Sequence, residues 1–151
     1  MTKEQRQERA RTFFLQGYNC CQSVAMCYAD VLGTEEKDVA RLGSGFGGGF
    51  GRMREVCGCV SGMTLVAGAA KPADNPDDKS ARTENYALVQ KLAGKFREAQ
   101  GSVICRELLK LRAKGPESPA PSDRTPQYYS TRPCADLVAC AAGILADELG
   151  F

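Results

Sequence analysis

Apolar residues recur at intervals of three and four along most of this chain, and the period-two alternation of a half-buried strand is scarce. Ala10, Phe13 and Phe14 predict an amphipathic helix over residues 3–16, stopped by Gly17. Asn19 is a good N-cap for a second helix from Cys20 to about Leu32, with Gly33 suited to the left-handed position beyond it. Thr34 to Asp38 resembles a capping box opening a short third helix that runs to about Leu42. Residues 43–51 then hold six glycines in nine positions, too costly in entropy for a regular interior, and predict a loop.

From Cys57 the pattern returns to helix. Val60, Met63, Thr64 and Ala67, with the small Gly62 and Gly68, predict an element packed tightly on all sides until Lys71-Pro72 ends it. Asp74 to Asp78 reads as a solvated linker. Tyr86, Val89, Leu92 and Phe96 mark the longest helical stretch, from Ser80 to about Gln100, and Gly101 stops it. Ser102 is placed to cap a short helix holding Cys105, Leu108, Leu109 and Leu111. Residues 114–133 contain five prolines among polar residues and read as an extended irregular segment. A last helix starts near Pro133 and carries Leu137, Val138, Ile144 and Leu145. The expectation is an all-α protein, one domain over 1–151 of about six helices.

Composition adds to this. The balance of 43% hydrophobic and 25% charged residues is ordinary for a globular chain, and the net charge of +2 is mixed along the sequence. No basic stripe of the kind nucleic acid requires is present. The polar N-terminus has no apolar core behind it, and no apolar run reaches the roughly 18 residues of a membrane span. These features predict no membrane insertion and a cytoplasmic protein, where thiols stay reduced.

That compartment gives weight to the eight cysteines, and the chain has no histidine. Mechanisms built on a Ser-His or Cys-His pair are excluded. Cys20, Cys57, Cys105 and Cys134 each fall in the first turn of a different predicted helix. There the unpaired N–H groups and the positive end of the dipole favour thiolate over thiol, as both a nucleophile and a metal ligand require. Cys21 and Cys27 lie on the second helix as weaker signals, Cys27 two turns from Cys20 and too far along the axis for an undistorted disulfide; Cys140 reads as helix packing, and Cys59 completes a C-x-C with Cys57 that suits either a soft metal or packing. Arg52, Arg54 and Arg106 lie near Cys57 and Cys105 in sequence, but the usual exposure of arginine favours a surface role. The glycine run lacks the G-K-[ST] ending of a phosphate loop. Its glycines are better suited to letting the backbone approach the cysteines closely.

Cys57-Gly58-Cys59-Val60-Ser61-Gly62, preceded by the Gly-Phe-rich loop and by Gly17-Tyr18-Asn19-Cys20, and followed by Cys105-Arg106-Glu107-Leu108-Leu109 and Cys134, resembles the redox-active C_GCAxxG_C_C family. The resemblance covers nearly the whole chain and places the four family cysteines on Cys20, Cys57, Cys105 and Cys134. Cys59 stands where the family has alanine, which adds a thiol beside the motif. The resemblance implies redox activity without naming a substrate, and a related domain in split-Soret cytochromes brings an iron–sulfur cluster into view.

Three readings follow. One is a thiol redox protein, with Cys57 attacking a disulfide or oxidant and Cys20, Cys105 or Cys134 resolving. Another makes the same four cysteines, with Cys59 as a further candidate, the ligands of a [2Fe–2S] cluster or zinc. The last is a helical interaction domain whose cysteines only pack. The redox partner stays unnamed, and a homodimer is among the assemblies left open.

Overall fold

The computed structural model describes residues 1–151 and is helical throughout. The helices are α1 (Lys3–Leu15), α2 (Cys20–Met26), α3 (Ala29–Leu32), α4 (Glu36–Leu42), α5 (Gly47–Phe50), α6 (Gly58–Ala70), α7 (Lys79–Gln100), α8 (Cys105–Leu108), α9 (Pro126–Thr131) and α10 (Cys134–Leu149). A turn of 3-10 helix spans Ser44–Phe46, and the only β feature is one antiparallel bridge between Val56 and Ile104.

The long helices carry the core. α1 packs along α10, α2 lies on α6, and α6 packs on both α7 and α10. Ala10 and Phe14 of α1, Val24 of α2, Met63 and Val66 of α6, Leu92 and Phe96 of α7, and Val138 and Leu145 of α10 join in one buried cluster. Each fully buried Leu or Phe there contributes roughly 2–3 kcal/mol by leaving water. Tyr86, on the same expected stripe of α7, is 59% exposed, because only the C-terminal half of that helix reaches the core.

Four expectations need correction. The second helix is two, α2 and α3, because the Arg6 guanidinium takes the Cys27 carbonyl at 2.8 Å and the chain turns at Tyr28. Thr34 does not cap α4: its N–H bonds back to the carbonyl of Ala29, the first residue of α3, and Glu35 precedes α4 without a side-chain cap. Ser102 does not cap α8; its hydroxyl accepts from the Ile104 N–H, one residue before the helix starts. Residues 114–133 are not wholly irregular, since Thr125 accepts from the Tyr128 N–H and Pro126 opens α9. Short, separate turns of this kind raise the count from about six helices to ten.

Arg6 is the most deeply buried ionised residue, 0% exposed. It lies between the Tyr28 and Phe151 rings, 4.2 Å from each centroid, and makes two hydrogen bonds to the Asp30 carboxylate at 2.8 and 2.9 Å. Burial is tolerable because the rings face the cation and Asp30 balances its charge.

Candidate functional site

Each of the four family-pattern cysteines is set by a local device. Asn19 accepts from the Gln22 N–H at 2.9 Å while the Gln22 side chain accepts from the Asn19 N–H, a reciprocal cap that fixes Cys20 as the first residue of α2. Cys57 is the residue before α6. Cys105 begins α8, and Cys134 begins the 16-residue α10 after Pro133. Cys57 and Cys105 are clipped to each other's strands: the Cys57 N–H donates to Val103 at 2.8 Å, and the Cys105 N–H donates to Glu55 at 2.6 Å, on either side of the Val56–Ile104 bridge.

Glycine permits the crowding. A Cβ on Gly58 would stand 2.9 Å from the Cys21 nitrogen and 3.1 Å from the Cys20 Cβ, so α6 could not otherwise approach α2 so closely. Gly49 has a φ of +66°, and a Cβ there would meet the Cys105 Cβ at 2.7 Å. The glycine run does bring backbone against the cysteines. It does so through a knot of left-handed residues that also takes Phe50, Arg52 and Arg54 to positive φ.

The four cysteines line one cavity of about 370 Å³ together with Arg52, Arg54 and Arg124. Cys57, Cys105 and Cys134 are each at most 8% exposed, and Cys20 is half-buried. Hydrogen bonding from the Cys134 and Cys59 thiols holds the Cys20 thiol well below the ordinary thiol range. Burial opposes this, and the charges of Arg124 and Arg54 add to it. Cys134 is pushed up in turn, first by its hydrogen bond to Cys20 and then by burial. The two thiols are therefore shifted in opposite directions, Cys20 down and Cys134 up, by the hydrogen bond they share. Burial raises Cys59, and it raises Cys105 against the pull of Arg54.

Arg54 corrects the surface expectation for the arginines. It is 6% exposed, its Nη1 lies 3.6 Å from the Cys105 sulfur, and its other donors meet the Glu117 carboxylate at 3.1 Å. Arg52 shares Glu117 at 2.7 Å. Arg106 is half-buried, bonded to main-chain carbonyls of Met53 and Gly115. Arg124, Glu117 and Tyr128 were not anticipated, since they lie in the proline-rich segment where no periodicity or motif singles them out.

The remaining cysteines divide as follows. Cys59 is fully buried against Cys20 and Cys57. Burial pushes Cys21 and Cys27 up to about 12, values that keep both as packed thiols. Cys140 lies on α10, half-buried and away from the cavity. An all-thiolate set is chemically suited to zinc or an iron–sulfur cluster. As placed, however, no three His, Cys, Asp or Glu side chains stand at metal-ligand geometry, and Cys105 faces a guanidinium. No helix is long and apolar enough to cross a membrane.

No curated protein and no solved structure matches this chain significantly. The sequence profile of the family described as "putative redox-active protein (C_GCAxxG_C_C)" matches residues 18–148, from just ahead of α2 to within the last turn of α10. By that match this chain belongs to the C_GCAxxG_C_C family.

Proposed function

We propose that this chain is a thiol redox protein in which Cys20 is the attacking thiolate and Cys134 the resolving thiol. One observation carries the reading: four cysteines from four helix starts line a single cavity, and there hydrogen bonding from its neighbours favours the thiolate of Cys20 while the same contact and burial favour the thiol of Cys134. Cys20 takes the attacking role expected of Cys57 because it is also the most open of the four. The Cys20 sulfur attacks one sulfur of a disulfide, forming a mixed disulfide and expelling a thiolate. Cys134, on losing its proton to that leaving thiolate, attacks Cys20 and expels the second half as thiolate, which a solvent proton completes. The protein dithiol is oxidised to a disulfide, and the substrate disulfide is reduced to two thiols.

The same sulfurs are the donor set of the metal-site alternative, so one preparation tests both. Protein purified without oxygen is assayed for iron, zinc and acid-labile sulfide, then treated with a small disulfide and mapped for the new bond. The thiol reading expects metal-free protein and a Cys20–Cys134 disulfide, lost in Cys20→Ser. Stoichiometric metal that disappears in Cys20→Ser and Cys57→Ser would replace the thiol reading with the metal-site one.

A further inference from the structure

The cavity carries more positive charge than its thiols require. Glu117 is the only carboxylate bonded to Arg52 and Arg54, and it is shared between them. Arg124 has no carboxylate partner at all: none of the chain's ion pairs includes it. Two of its five donors go to the main-chain carbonyls of Phe14 and Tyr18, at 3.0 and 3.1 Å. Its plane is held against Phe14 and Tyr128, 4.3 and 5.0 Å from their centroids. A guanidinium so fixed, with donors to spare beside a reactive sulfur, is a preorganised anion receptor.

The shape of the cavity selects the size of the ligand. A recess of about 370 Å³ is at the small end of small-molecule sites. Three of its four sulfurs are at most 8% exposed, out of reach of a disulfide held on a folded protein surface.

We infer that the substrate is a low-molecular-weight disulfide bearing carboxylate groups, seated with a carboxylate on Arg124 and its sulfurs facing Cys20. The inference rests on the thiol reading above. Oxidation and reduction balance as written there: one substrate S–S bond breaks, one protein S–S bond forms, and two small carboxylate-bearing thiols leave. Arg124 orients the incoming disulfide and takes no part in bond breaking.

The test is a charge series of similar small disulfides: dithiodipropionate (anionic), hydroxyethyl disulfide (neutral) and cystamine (cationic), with insulin as a disulfide held on a protein. Each rate constant with the reduced protein is divided by that of the same disulfide with free mercaptoethanol, which removes intrinsic reactivity. The expected order is anionic over neutral over cationic, with about tenfold or more between the extremes. That spread should shrink as salt rises from about 0.05 M to about 0.5 M. In Arg124→Gln the anionic-to-neutral ratio falls to about one, and in Arg124→Lys it falls by less. Equal normalised rates across the series on the parent protein would overturn the anion site while leaving the thiol reading intact, and so would insulin outpacing every small disulfide. Absence of reaction with any of them overturns both.

Discussion

The Arg54 guanidinium stands 3.6 Å from the Cys105 sulfur while gripping Glu117 with its other nitrogens, so one cation divides its charge between a carboxylate and a thiol. Arg54 lowers the Cys105 pKa against the larger effect of burial, and Glu117 competes for that charge. Arg54→Gln should raise Cys105 further and slow its alkylation near neutral pH severalfold. Glu117→Gln should speed it. Peptide mapping of timed iodoacetamide labelling measures both, and an equal response to the two substitutions would contradict the shared-charge arrangement.

Cys20 should label with a pH midpoint below the ordinary thiol value of about 8.5. Its folded pKa is depressed, so its thiolate adds stability that is fully present above the unfolded value and is lost as the pH falls through the folded one. Cys134→Ala removes the larger stabilising hydrogen bond and should move the midpoint upward. Cys59→Ala, which restores the alanine of the family motif, should move it upward by less. A labelling midpoint unchanged in both variants would refute the hydrogen-bonded thiolate.

Gly49→Ala and Gly51→Ala separate backbone strain from steric exclusion. Both residues have a left-handed φ, +66° and +56°, so each substitution costs about 1–2 kcal/mol in backbone strain. A Cβ on Gly51 meets nothing within 4 Å, whereas one on Gly49 meets the Cys105 Cβ at 2.7 Å and the Glu55 nitrogen at 2.8 Å. Gly49→Ala should therefore destabilise by about 2 kcal/mol more than Gly51→Ala in urea denaturation. It should also alter Cys105 labelling, which Gly51→Ala should not.

Removing either partner of the Arg6–Asp30 pair should have unequal consequences. The Arg6 side chain is 1% exposed and that of Asp30 is 56% exposed, and Arg6 Nε already has no partner. Asp30→Ala leaves a buried cation without its counter-charge and should cost about 3 kcal/mol. Arg6→Met leaves Asp30 hydrated and places a thioether between the Tyr28 and Phe151 rings, at about 1–2 kcal/mol. Chemical denaturation of the two variants gives the order, and the reverse order would mean that the pair acts through packing rather than charge.

What could be read from the chain was whatever depends on near neighbours. The Asn19 cap, the Gly33 and Gly101 stops and the start of α10 at Cys134 each rest on a few consecutive residues, and all stand where expected. The break after α2 was not legible, because it depends on Arg6 reaching the Cys27 carbonyl from 21 residues away. The charged half of the cavity was hidden for the same reason. Arg124 is anchored to Phe14 and Tyr18, more than a hundred residues earlier, and Glu117 meets Arg54 across 63. Four cysteines at helix starts pointed to the thiols, while nothing local to the proline-rich segment pointed to the cation beside them.

The Val56–Ile104 bridge gathers α6, the linker and α7 into one loop, closed by hydrogen bonds, whose two ends are Cys57 and Cys105. The spacing of those sulfurs is thus set at the neck of the loop, independently of its length. Turns of helix added or removed at its far end, around Lys71 to Asn85, would lengthen or shorten an arm without retuning the cavity. That end of the molecule is free to diverge, or to accept a fused tag or reporter, while the setting of Cys57 and Cys105 stays as it is.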